Sequence, residues 1–87
     1  SATLHEFGHF LDWMLGFPAE YEQLFRAEAS AAPLRNYAKT DSREYFADCF
    51  AYWVKYAENA NAISLLQECA PMTYRYMEDL MRIANRL

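Results

Sequence analysis

An all-α fold, a compact bundle of about five helices, is what this sequence predicts. Alanine and leucine together supply 23 residues while valine, isoleucine and threonine supply only six, a ratio that favours helix over strand. No stretch alternates apolar and polar residues for long, whereas apolar positions recur at spacings of three and four. The residue set AVILMFWYC makes up 54% of the chain and aromatic residues 17%, enough bulk for a core.

The first helix is expected from about Ala2 to Leu15, with Leu4, Gly8, Leu11 and Leu15 along one face and Gly16 supplying the left-handed residue that ends it. Phe17 and Pro18 open the second, which has Pro18 in its first turn, Glu20 and Glu22 near the positive end of the dipole, and Tyr21, Leu24 and Phe25 on its buried side. It fades in the alanines before Pro33. From Ala32 to Thr40 the apolar period is lost and a loop is expected. Asp41 and Ser42 are the caps available to the third helix, whose stripe is Phe46, Phe50, Trp53, Val54 and Ala57, ending before Asn59. A short fourth helix covers about Asn61 to Glu68. Pro71 starts the last, with Met72, Tyr76, Met77, Leu80, Ile83, Ala84 and Leu87 at helical spacing.

With 87 residues the chain is one small domain. A chain this short buries only about 60–65% of its extended surface, so a metal, a partner or further sequence is expected to contribute. Twelve acidic against eight basic side chains give a formal charge of −4 with no basic cluster, which argues against nucleic acid and anionic membranes as partners. No apolar run approaches the roughly 20 residues of a bilayer span. Cys49 and Cys69 make no disulfide framework and are read as reduced, packed thiols, which leaves the compartment open.

The chemistry concentrates in H-E-F-G-H, residues 5–9, which uses both histidines of the chain. Positions i and i+4 differ by about 40° around a helix and about 6 Å along it, so His5 and His9 project from one face and can share an ion. Glu6, rotated by about 100° from His5, keeps its carboxylate near the metal without entering its coordination, as the general base for a bound water requires. Carboxylates are the candidates for a third ligand. Asp12 lies on the same face, too close along the helix to complete a tetrahedron easily, and suits a supporting role. Glu44, in S-R-E-Y-F-A-D, would face the histidines if the first and third helices pack antiparallel. Asp48, at i+4 from Glu44, could then accept a hydrogen bond from a ligand imidazole and fix its tautomer.

These residues resemble the zinc peptidase domain of anthrax lethal factor and its relatives, the Pro-Pro endopeptidases among them. The resemblance rests on H-E-F-G-H-F-L-D, on N-Y-A-K-T-D-S-R-E-Y-F-A-D-C-F, and on Ala70-Pro71 leading into the last helix, and it spans nearly the whole chain. It implies a gluzincin-like site with zinc bound by His5, His9 and Glu44, Glu6 as base, and Tyr37, seven residues before Glu44, assisting the oxyanion. Asp48 stands where the lethal factor domain has glutamate, a shorter reach. Zincins of this kind also carry a sheet before the metal helix whose edge strand pairs with substrate. The resemblance thus makes residues 1–87 the helical core of a zincin domain, the C-terminal part of a longer polypeptide. This core is expected to bind zinc, to have little peptidase activity alone, and to self-associate through Leu4, Leu11 and Leu15 bared on the first helix. A secreted or delivered effector is implied.

The function expected is a zinc-dependent metalloendopeptidase module acting on peptide or protein substrates. The alternative is a non-catalytic helical module derived from a zincin, binding or structural, such as an inactive remnant in a phage or toxin polypeptide. In that reading His5 and His9 are surface imidazoles, Glu44 a first-turn acid favoured by the helix dipole, Tyr37 a packing residue, and Asp12 and Asp48 surface charges.

Overall fold

The computed structural model describes residues 2–85, and of residue 2 the backbone alone. It comprises helices α1 (Ala2–Met14), α2 (Ala19–Glu28), α3 (Ser42–Lys55), α4 (Ala60–Cys69) and α5 (Pro71–Ala84), with a 3-10 turn at Asn36–Lys39 before α3. No strand occurs among the described residues. The radius of gyration is 11.7 Å, close to the roughly 12 Å of a packed chain this long. None of the described helices is long and apolar enough to cross a membrane.

α1 ends where expected. Gly16 has φ +78°, and the amides of Gly16 and Phe17 bond back to the carbonyls of Trp13 and Asp12, both at 3.1 Å, the paired closure that a left-handed residue permits. Phe17 is also left-handed, at φ 53°, which costs a non-glycine residue about 1–2 kcal/mol. The Arg43 guanidinium covers its ring at 4.0 Å.

Every residue of α3 from Tyr45 to Ala51 is buried, so this helix is enclosed on all sides rather than along the single stripe expected. Val54 and Ala57 are exposed, and Ala57 lies beyond the helix. Tyr21, Ala29 and Ala32 from α2 and the segment after it, Leu66 and Ala70 from α4 and its end, and Met77 from α5 complete the core around Tyr45, Phe46, Cys49 and Phe50. On its remaining side α3 meets α1 at very short range. A Cβ placed on Gly8 would stand 2.8 Å from the Cα and 2.9 Å from the carbonyl oxygen of Ala47, so only glycine allows the two backbones this close.

Asp41 caps α3 as expected, accepting from the Glu44 amide at 2.8 Å. Asn59, accepting from the Ala62 amide at 3.1 Å, starts α4 one residue early, and α4 runs one residue past the expected end, to Cys69. The Ala32 to Thr40 loop contains the 3-10 turn, which is not expected from the sequence because a single four-residue turn carries no apolar period to read. α5 keeps part of the expected stripe, with Met77 buried and Tyr76 and Leu80 half-buried, but Met72, Ile83 and Ala84 are exposed and Thr73 is buried. The cause is buried Glu28, whose carboxylate accepts from the Met72 amide at 2.9 Å and from the Thr73 amide and hydroxyl at 2.7 and 2.8 Å, docking the α5 N-terminus onto α2. Leu87 lies outside the described residues.

The bare apolar face of α1 is not the one expected. Leu4 and Leu11 are partly buried and of the three leucines only Leu15 is exposed, while Phe7, Phe10, Trp13 and Met14 are 56, 51, 64 and 63% exposed, their rings in a row from Phe7 through Phe10 to Trp13. The buried face is fixed by Gly8; Phe7 flanks it, stacked on Phe50 of α3 at 5.7 Å, and Phe10 and Trp13 lie farther round the helix.

Two outcomes follow from this packing. Gly8→Ala should force α1 from α3 and cost about 1–3 kcal/mol, a melting temperature lower by on the order of 10 °C in a domain of this size; an unchanged melting curve by circular dichroism would refute the close crossing. Light scattering at rising concentration should show self-association, diminished by Phe10→Ser with Trp13→Gln at unchanged helicity.

Candidate metal centre

The crossing of α1 over α3 at Gly8 and Ala47 brings together side chains placed in the same way on each helix. His5 and His9 lie three before and one after Gly8, and Glu44 and Asp48 lie three before and one after Ala47. All four therefore sit on the facing surfaces, one helical turn apart. His5 Nε2 stands 2.9 Å from Glu44 Oε2 and 3.0 Å from His9 Nε2, and His9 Nε2 stands 3.0 Å from Glu44 Oε1. Among the described residues this is the group of three whose donor atoms converge tightly enough to hold a metal ion.

The donor set fits zinc. An ion about 2.0–2.1 Å from each of three donors in a tetrahedral arrangement separates them by about 3.3 Å, close to the spacings found. The imidazole orientation fits as well. Nδ1 of buried His5 lies 2.5 Å from Asp48 Oδ1. A carboxylate only accepts, so a proton is assigned to Nδ1, and in the neutral imidazole, the form that binds a metal, Nε2 is left with its lone pair facing Glu44 and His9. Two acceptors, His5 Nε2 and a Glu44 oxygen, then face each other without a proton between them, an arrangement that a cation relieves.

Asp48 is held in turn by Arg35, which donates from Nε to Oδ2 at 2.9 Å and from Nη2 to Oδ1 at 2.7 Å. Burial alone would raise the Asp48 pKa, but the hydrogen bonds and charges of Arg35 and His5 outweigh it and hold the carboxyl below the ordinary aspartate range. Arg35 is not among the residues that the sequence singles out. It lies in an irregular segment, and no periodicity links it to α3.

Glu6 is exposed and lines, with His5, Arg35 and Tyr37, an open cleft of about 270 Å³ that meets the cluster at His5. Tyr37, on the 3-10 turn, is exposed with its ring 6.0 Å from that of His5. Asp12 is brought less close. Its side chain is buried beside Arg43 in a cavity of about 200 Å³ walled by Phe17, Pro18 and Tyr21. Burial raises its pKa, and the charges of Arg43 and His9 offset part of the rise. It makes no hydrogen bond to either imidazole among the described residues.

A family model described as anthrax toxin lethal factor, N- and C-terminal domain, matches residues 1–80. The Pro-Pro endopeptidase of Clostridioides difficile (strain 630) is 30% identical over 83 residues, which cover 91% of this chain and 36% of that protein. The chain therefore spans about a third of the length of this relative. No solved structure matches it.

The lowered Asp48 pKa has a consequence for acid stability. A carboxyl with a depressed folded value contributes stability fully present above its unfolded pKa, about 3.9, and lost as pH falls through the folded value. Melting of the metal-free protein from pH 7 to pH 2 should show Asp48→Asn less stable at neutral pH and less sensitive to acid below about pH 4 than the wild type. Parallel acid profiles would mean that the Asp48 carboxylate contributes no such linkage.

Proposed function

The chain belongs to the family described as anthrax toxin lethal factor, N- and C-terminal domain, a protease-related family, and from that premise we propose that it is the metal-binding helical part of a zinc-dependent endopeptidase. The single observation that carries this reading is the triangle of His5 Nε2, His9 Nε2 and Glu44 oxygens about 3 Å apart.

In this proposal His5, His9 and Glu44 hold zinc, which supplies a Lewis acid and a water acidic enough to ionise near neutral pH. Asp48 keeps His5 in the ligating tautomer. Glu6, next to a ligand in sequence and open to the cleft, takes the proton of the attacking water and returns it to the leaving amine. The Tyr37 hydroxyl, at the cleft rim, donates a hydrogen bond to the oxyanion that develops on the scissile carbonyl. Asp12, whose carboxyl feels the charge of His9, supports the second ligand histidine at a distance.

The substrate class is a peptide or protein, supported by the endopeptidase name of the relative. Because the chain spans 36% of that relative, peptide-bond hydrolysis is proposed for a longer polypeptide in which residues 1–87 form the C-terminal zincin-like unit, and turnover is read there. The rival reading, a non-catalytic binding module, is favoured by the exposed aromatic row of α1 and is separated from the first by turnover.

Protein purified without chelator should carry one zinc per chain by elemental analysis, and His9→Ala should lose it. Glu6→Gln should keep the zinc and lower turnover of a mixed peptide library by about 10²–10⁴-fold, and Tyr37→Phe should lower kcat by about 10²–10³-fold. Failure to bind at micromolar zinc near pH 7.5 would overturn the metallopeptidase reading. Loss of zinc from Glu6→Gln would overturn the roles assigned.

A further inference from the structure

We propose that Arg35 is a positioning residue of the metal centre: its guanidinium fork locks the Asp48 carboxylate in the one orientation that holds His5 with Nδ1 protonated and Nε2 aimed at His9 and Glu44. This inference rests on reading the cluster as a zinc site, and adds a residue from a third segment of the chain to it.

A carboxylate on a helix can rotate about its last bond, and a single contact to an imidazole leaves that rotation free. Arg35 removes it. Nε and Nη2 engage Oδ2 and Oδ1 separately at 2.9 and 2.7 Å, so the carboxylate plane is set by the guanidinium plane. Oδ1 then receives two donors, Arg35 Nη2 on one side and His5 Nδ1–H on the other, and the donors themselves stand 3.5 Å apart. If Nδ1 instead carried a lone pair, it would face a carboxylate oxygen at 2.5 Å with no proton between them. The tautomer that leaves Nε2 free is therefore the one that the Arg35–Asp48 pair accommodates. Lysine could supply the charge but not two coplanar donors at this spacing.

Arg35 also lies one residue before the Asn36–Lys39 turn, with its guanidinium 5.7 Å from the Tyr37 ring centre. Its bonds to Asp48 tie that turn to α3, and hence the cleft rim to the helix bearing Glu44. Its side chain is 64% exposed, so the core does not need it, and a variant here can be expected to fold.

The test uses Arg35→Ala and Arg35→Lys, with helicity by circular dichroism confirming the fold. In metal-free protein labelled with ¹⁵N-histidine, the His5 ring should be the Nδ1–H tautomer in the wild type and a mixture of tautomers in Arg35→Ala. Zinc affinity, measured by chelator competition, should fall about 10–100-fold in Arg35→Ala, with Arg35→Lys between it and the wild type. A wild-type His5 tautomer in folded Arg35→Ala would overturn the inference, as would an unchanged zinc affinity. If the wild type binds no zinc yet Arg35→Ala still loses the tautomer, the zinc reading falls while the locking of His5 by Arg35 through Asp48 stands.

Discussion

The closeness of two backbones, α1 at Gly8 and α3 at Ala47, is the constraint from which the rest of the structure follows. A methyl group at Gly8 would lie only 2.8 Å from the Ala47 Cα, so the helices leave no room for side chains at their crossing point, and the residues on either side must meet across it. Those residues are His5 and His9 on one helix and Glu44 and Asp48 on the other. Had the helices been spaced by a pair of leucines, the imidazoles and carboxylates would stand too far apart to share an ion, because ordinary packed helices lie about 8–10 Å apart.

Holding α3 against α1 requires that α3 be gripped from its other sides, and the polar groups buried in doing so are mostly satisfied. Glu28 gives its carboxylate to the start of α5, and the Thr73 hydroxyl it binds also contacts the Tyr45 hydroxyl at 2.9 Å. The chain of contacts thus crosses α2, α5 and α3 without leaving those groups unpaired. Tyr21 is the exception, its buried hydroxyl lacking a well-formed hydrogen bond and facing the Cys49 thiol, a weak partner. Burial pushes the neighbouring Cys49 thiol up to about 12, so this cysteine behaves as a small apolar residue and not as a nucleophile.

Polar groups on the side of α3 that faces α1 are arranged to a different effect. Asp48 is buried yet ionised because Arg35 and His5 both donate to it, and the same bonds orient the imidazole. Stability and site geometry therefore depend on the same contacts there. The exposed row on α1 starts at Phe7, whose ring stacks on Phe50 of α3 at 5.7 Å, and runs through Phe10 to Trp13 away from the crossing, so the helix that carries both histidines also bares an aromatic face.

The sequence by itself determined the helices, most of their boundaries and the His5–His9 pair, because each depends on interactions within a few positions, whereas Glu44 was a candidate only if two helices met. Gly16 ends α1, Asp41 caps α3, Pro71 starts α5, and the i to i+4 spacing of His5 and His9 holds in any helix. Asp48 was legible for the same reason, being one turn from Glu44. Only the tertiary structure decided which faces are buried and what joins them. The enclosure of α3 on all sides, the burial of Thr73 against Glu28, the exposure of Phe10 and Trp13 in place of Leu4 and Leu11, and the bond from Arg35 to Asp48 all link residues 13 to 45 positions apart or depend on neighbours from several helices. A helical period states that a face exists, but the closest approach available, here set by a glycine against an alanine, selects which face turns inward.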